Sequence, residues 1–187
     1  GIDLDQDAMK TFGKAHPSAK SLCMDASEFL SESDSVLDGT KVDVLVGGPP
    51  CQGFCAINPN RSVDDPRNLC IDYFLNAVKL FKPTFVLMEN VTGLLSLGKG
   101  FALKQVCQTL SNESYFVSYK VLQAAHYGVP QSRWRLFVAA SLISEFDFPE
   151  PTHRAPIRAN FARGRAVTFS VPQETGLFDD YLEPTTV

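Results

Sequence analysis

Residues 42–52 of this chain read VDVLVGGPPCQ, an apolar run followed by a glycine pair, a proline pair and a cysteine. A short valine-rich run that ends at glycine and proline is typical of a buried strand in a parallel sheet. The glycines permit backbone conformations that other residues avoid, and the prolines stiffen the turn. The stretch therefore predicts a buried strand that presents Cys51 as a nucleophile in a rigid, open loop. An ordinary buried cysteine is the alternative.

Helical and strand patterns alternate on both sides of this stretch. Helical spacing predicts helices over residues 6–16, 68–82 and 101–110, and apolar runs predict strands over residues 1–3, 21–24, 84–88, 116–122 and 136–140. This alternation predicts an α/β domain with a mainly parallel sheet. Active sites of such sheets lie at the carboxyl ends of the strands, where Asp3, Asp25, Cys51 and Glu89 all fall.

Composition narrows the class of protein. The chain has 187 residues, 44% of them hydrophobic and 20% charged, which suits one soluble globular domain. No apolar run approaches the roughly 20 residues of a membrane helix, and five cysteines without a C-x-x-C pair predict free thiols rather than a metal site. The net charge of −4 argues mildly against nucleic-acid binding, but residues 151–173 hold four arginines and no acid. The arginines of that segment could contact the phosphates of a nucleic acid.

Two further groups carry chemistry. Glu89 is a lone carboxyl group at the end of an apolar run, where desolvation would favour a proton donor, although capping a helix or pairing with an arginine is the plainer alternative. Arg133 and Arg135 alternate, so both side chains leave one face of a strand and could hold an anion or a carbonyl oxygen. A solvated edge strand is the alternative there. Three other cysteines are predicted to be ordinary buried residues, namely Cys23, Cys70 and Cys107. Cys55 is predicted to be a passive neighbour of Cys51.

PPCQ at residues 49–52, ENV at 89–91 and QSRWR at 131–135, in this order, resemble the motif set of the C5-cytosine DNA methyltransferase family. The resemblance extends from about Asp3 to Pro151. It implies a Rossmann-like, S-adenosylmethionine-dependent methyltransferase fold. It also implies transfer of a methyl group from S-adenosyl-L-methionine to C5 of a cytosine that is flipped out of duplex DNA.

The resemblance also implies roles for single residues. Cys51 would add to C6 of the cytosine, Glu89 would protonate or hydrogen-bond N3 and the exocyclic amine, Arg135 would contact O2, and Arg133 would support it. The resemblance implies five residues that would bind the cofactor. Asp3 would bind the ribose hydroxyls, Leu4 would pack on the adenine, and Asp25 would bind the adenine amino group. The other two are Ala26, beside Asp25, and Pro49, in the nucleophile loop.

The family's first motif, a Phe-x-Gly-x-Gly-Gly loop, is absent, so we expect a fragment that is truncated at both ends. Residues 1–150 would be a partial catalytic domain, and residues 151–187 an arginine-containing linker towards a target-recognition region. We expect weak binding of cofactor and DNA by these residues alone. The rest of a longer chain, or a complementing subunit, would supply what is missing.

Three alternatives stay open. The first is an RNA cytosine methyltransferase acting on transfer RNA, although the Cys-Phe-Thr tripeptide typical of that branch is absent. The second is a catalytically silent, methyltransferase-like module that binds nucleic acid or a partner. The third is a cysteine hydrolase that pairs Cys51 with His126 or His153. The compact loops suggest a bacterial modification enzyme of the cytoplasm and nucleoid; a eukaryotic protein would be nuclear.

Overall fold

The computed structural model describes residues 1–50, 69–96, 100–153 and 169–170. Within them the helices are α1 (Gln6–Ala15), α2 (Ala26–Leu37), α3 (Leu69–Phe81), α4 (Gly93–Ser96) and α5 (Phe101–Asn112). The strands are β1 (Ile2–Asp3), β2 (Leu22–Cys23), β3 (Val44–Gly47), β4 (Phe85–Asn90), β5 (Phe116–Gln123), β6 (Trp134–Ser141) and β7 (Phe169–Ser170). A 3-10 turn, Ala124–Tyr127, follows β5.

The strands form two sheets. β1 and β2 pair in parallel, and the larger sheet has the order β3-β4-β6-β5-β7. In the larger sheet β3 and β4 are parallel, whereas the pairs β4–β6, β5–β6 and β5–β7 are antiparallel. The α/β class is confirmed, but the sheet is mixed rather than mainly parallel. The connection from β5 to β6 contains only a 3-10 turn and no crossover helix, and so short a connection pairs the two strands antiparallel.

The predicted helices and strands that precede β7 are confirmed to within two residues at their ends. Helix α2 was missed because its sequence, ASEFLSESDSVL, carries four serines, which are poor helix formers, and buries only Phe29 and Ser33. Strand β7 was also missed. It lies in the stretch predicted to be a linker and pairs with Ser118 and Tyr119 of β5.

The core fills one face of the larger sheet. Alternate residues of β4, β5 and β6, among them Met88, Val117 and Leu136, pack there against α3 and α5. Met88 and Leu136 are completely buried. Because successive side chains of a strand point to opposite faces, Glu89 points away from this core and Asn90 points into it. The buried state of Asn90, at 3% exposure, agrees with this alternation.

The described cysteines are free thiols that differ in exposure. Cys107 is completely buried, as predicted, and Cys70 is half-buried at the start of α3. The prediction for Cys23 is wrong, because its side chain is exposed. Among the described strands, β2 pairs only with β1, and a sheet of two short strands cannot enclose its side chains.

These differences predict selective alkylation. Burial raises the pKa of the Cys107 thiol to about 12, so almost no reactive thiolate is present near neutral pH. We expect iodoacetamide to label Cys23 in the native protein at pH 8 and to label Cys107 only after unfolding. Mass spectrometry of the peptides measures both rates. Native labelling of Cys107 as fast as that of Cys23 would contradict the described packing of α5.

Candidate active site

Three charged side chains lie together at the carboxyl end of β4. Strand β6 runs antiparallel to β4, with Phe137 opposite Glu89 and Leu136 opposite Asn90. The start of β6 therefore lies beside the end of β4. As a result, Nε of Arg135 lies 2.8 Å from Oε1 of Glu89, and Nη2 of Arg133 lies 3.9 Å from the same oxygen.

The two arginines share a face, as their alternation predicted. The alternative of a solvated edge strand is wrong, because β6 has β4 on one side and β5 on the other. Arg135 is the more buried of the two: its side chain is 24% exposed, against 48% for Arg133. Its Nη1 also donates to the backbone oxygen of Trp134 at 2.8 Å. Contacts with Glu89 and Trp134 thus hold the guanidinium of Arg135 in one orientation.

Glu89 is less enclosed than the sequence suggested. Its side chain is 36% exposed and is paired with Arg135, instead of standing alone among apolar neighbours. The pairing with an arginine, which was the plainer alternative, is therefore confirmed. Arg135 is far from Glu89 along the chain and could not be identified as its partner from the neighbouring sequence. Antiparallel pairing of β6 with β4 brings the two residues together.

The loop that leads to Cys51 begins beside Glu89. Gly47 is opposite Met88 in the β3–β4 register, and a Cβ atom added at Gly48 would lie 3.5 Å from Oε2 of Glu89. Nδ2 of Asn90 donates to the backbone oxygen of Pro49 at 3.1 Å. The start of the loop is thus tied to the strand that carries Glu89. Cys51 itself lies outside the described residues.

The role of Asn90 was missed by sequence reasoning. Besides contacting Pro49, its Oδ1 accepts a hydrogen bond from the backbone N–H of Val91 at 2.8 Å. A buried amide can satisfy two backbone groups at once, which fixes the turn after β4 relative to the turn after β3. The sequence does carry a signal for this role: the amide residue Asn90 directly follows the acidic residue Glu89 at the end of a predicted strand.

Four of the five residues implied for the cofactor lie at the carboxyl ends of β1 and β2. Parallel pairing sets Asp3 opposite Cys23, and the N–H of Met24 donates to the backbone oxygen of Asp3 at 3.1 Å. Asp3 is exposed, and Leu4 is 68% exposed. An exposed carboxylate next to an exposed apolar side chain suits a ligand that has both hydroxyl groups and a flat ring, so these residues fit an adenosine moiety.

Asp25 and Ala26 follow at the start of α2. Asp25 is the N-cap of that helix and accepts hydrogen bonds from the side chain and the backbone N–H of Ser27, which lower its pKa. The side chain of Asp25 therefore caps α2, a common role for an aspartate that precedes a helix. Ala26 is the first residue of α2. The contact described for Pro49 is with Asn90, so the structure places this residue with Glu89.

The two histidines considered for a hydrolase contact other groups. The ring of His126 packs edge-on against Trp134, with the centroids 5.9 Å apart. Nδ1 of His153 lies 2.8 Å from Oγ1 of Thr152. Across the described ranges, no group of histidine, cysteine and acidic side chains is suited to a metal ion, and no helix is long and apolar enough to cross a membrane.

Known proteins are similar to this chain over much of its length. The family described as C-5 cytosine-specific DNA methylase matches residues 1–184. Type II methyltransferase M.AquIA of Picosynechococcus sp. is 39% identical over 122 residues, covering 60% of this chain and 49% of that protein. DNA (cytosine-5)-methyltransferase CMT3 of Arabidopsis thaliana is 36% identical over 150 residues, covering 75% of this chain and 18% of the plant protein.

A solved structure is also similar. The crystal structure of a candidate DNA modification methyltransferase encoded within an E. coli prophage superposes with a TM-score of 0.64 at 27% identity. The match covers 75% of this chain and 38% of that protein. The chain therefore spans half or less of the length of the proteins that it resembles.

Proposed function

Because this chain belongs to the C-5 cytosine-specific DNA methylase family, we propose that it transfers a methyl group from S-adenosyl-L-methionine to C5 of cytosine in DNA. The Rossmann-like fold predicted for such an enzyme is confirmed by the α/β architecture and the structural match. The observation that carries the proposal is the 2.8 Å contact between Arg135 and Glu89 at the carboxyl end of β4. It lies beside Gly48, which precedes Cys51 by three positions in the sequence.

A carboxyl group and a guanidinium held side by side match the edge of a cytosine ring. In this proposal Glu89 holds a proton at N3 and accepts from the exocyclic amine, while Arg135 donates to O2. Arg133 reaches the same carboxylate oxygen from farther away and supports the pair. Reaching these ring atoms requires a cytosine that has left the base stack, since they are inaccessible in a stacked duplex.

Cys51 is the proposed nucleophile. Its thiolate adds to C6 of the flipped cytosine, and the proton held by Glu89 at N3 lets the electrons of the ring collect at C5. C5 would then take up the methyl group, and loss of the C5 proton together with departure of the Cys51 thiolate would restore the aromatic ring. The Asn90–Pro49 hydrogen bond supports this role, because it ties the backbone two residues before Cys51 to the strand that carries Glu89.

The cofactor is proposed to lie at the carboxyl edge of β1 and β2. Asp3 would bind the ribose hydroxyls, Leu4 would pack on the adenine, and Asp25 with Ala26 would face the adenine amino group. When bound, S-adenosyl-L-methionine supplies the methyl group. The same carboxyl edges of parallel strands are where ligands of open α/β sheets bind in general.

Duplex DNA is the proposed partner, in the cytoplasm of a bacterium or the nucleus of a eukaryote. Base reading would come from further polypeptide, either of a longer chain or of a complementing subunit.

The experiment compares transfer of a radiolabelled methyl group by the full-length protein to duplex DNA and to transfer RNA. We expect label at C5 of cytosine in DNA. Label only in RNA would favour the RNA enzyme, and label in neither would favour a silent binding module.

A further inference from the structure

A buried amide lies at the end of β5, outside the residues that the proposed chemistry uses. Gln123 is the last residue of β5 and is paired with Trp134, the first residue of β6. It is 1% exposed. Its Nε2 donates to Oγ of Ser132 at 3.3 Å, while its Oε1 has no hydrogen-bond partner among the residues that the structure describes.

This placement contributes little to folding. Burying a polar atom without a partner costs free energy, and one hydrogen bond as long as 3.3 Å offsets only part of that cost. An unbranched apolar side chain of the same length would fill the space without the penalty. We therefore expect the contact with Ser132 to matter more for the geometry of the adjoining site than for the stability of the fold.

Ser132 lies at the point where the chain enters β6. It stands between Gln131 and Arg133, and Arg133 and Arg135 point to the opposite face of β6 from Trp134. A shift of the strand by one residue would exchange the two sets of side chains. The backbone hydrogen bond from Ala124 N–H to the oxygen of Arg133, at 2.9 Å, acts here together with the β5–β6 pairing. The Gln123–Ser132 contact adds a side-chain restraint beside them.

We propose that Gln123 is a positioning residue that, through Ser132, holds the start of β6 so that Arg135 stays aligned with Glu89. The proposal rests on the proposed function, because alignment of Arg135 matters for catalysis only if the arginine binds the substrate. Its effect is on the geometry of the arginine pair. A residue of this kind alters turnover without altering overall stability.

The test compares Gln123→Met, Ser132→Ala and the double variant in the full-length protein. Gln108→Met, the same replacement at an exposed position of α5, is the matched control. We expect each single variant to lower kcat about 10- to 100-fold, since small misplacements of substrate-positioning groups have effects of this size. The double variant should be no slower than the slower single variant, because both changes remove one contact.

Two further readouts separate positioning from folding and from the proposed function. The midpoint of thermal unfolding of Gln123→Met should stay within about 2 °C of the wild type or rise. Amide hydrogen exchange at residues 132–136 should become faster than in Gln108→Met. Unchanged kcat in both single variants, or unchanged exchange, would overturn the positioning role. If the wild-type protein transfers no methyl group, the proposed function is overturned. The rate of amide hydrogen exchange at residues 132–136 would still decide whether Gln123 orders this segment.

Discussion

Glu89→Gln is expected to lower the rate of methyl transfer about 10²- to 10⁴-fold, the range over which a positioned general acid acts. Glutamine keeps the size of the side chain, but it cannot hold a proton at N3 of the cytosine or form an ion pair with Arg135. Because the Glu89 side chain is 36% exposed, its neutral substitute remains hydrated, and little change in stability is expected.

Single-turnover transfer of a radiolabelled methyl group to duplex DNA measures this effect, together with the unfolding midpoint of each variant. Glu113→Gln is the control, because Glu113 also pairs with a cation, Lys82, but lies at the end of α5 away from the site. The control should retain wild-type rates. Methyl transfer by Glu89→Gln within about threefold of the wild type would remove Glu89 from the chemistry.

Arg135→Met should cost more activity than Arg133→Met. Loss of one positioned donor to a developing charge typically lowers kcat about 10²- to 10³-fold, and Arg135 is the arginine in direct contact with Glu89, at 2.8 Å. Arg133 is more exposed and lies 3.9 Å from that oxygen, so a loss of less than about tenfold is expected for it.

Measuring kcat and KM for both variants on the same duplex separates the two roles. Arg135→Met should lower kcat, whereas Arg133→Met should act mainly on KM for DNA. Equal losses of kcat in the two variants would contradict the unequal geometry of the pair. A larger loss in Arg133→Met would reverse the assignment of the arginine that contacts O2.

The sequence predicted those parts of the fold that depend on local patterns. The apolar runs located β3 and β4, and the residues that follow them located Pro49 and Glu89 at one edge of the sheet. Strand direction is not encoded in such runs, so the antiparallel entry of β6 between β4 and β5 was not foreseen. That entry is what brings Arg135 to Glu89.

Other features depend on contacts between residues far apart in the chain. The amide of Asn90 acts across 41 positions on Pro49, and its effect is visible only once β3 and β4 are paired. The exposure of Cys23 likewise follows from the small size of the β1–β2 sheet, which its sequence neighbours do not reveal. Cys51 was identified from its motif, and its role in the chemistry stays a proposal.

The central claim is that Cys51 attacks cytosine in DNA, and trapping of a covalent adduct tests it most directly. The full-length protein is incubated with S-adenosyl-L-methionine and duplex DNA that carries 5-fluorocytosine. Fluorine at C5 cannot leave as the proton does, so a working enzyme remains bound to the ring. We predict an adduct, detected by mass, that maps to Cys51 and is absent in Cys51→Ser. An adduct that maps to another residue, or that persists in Cys51→Ser, would contradict the claim, as would the absence of any adduct on DNA.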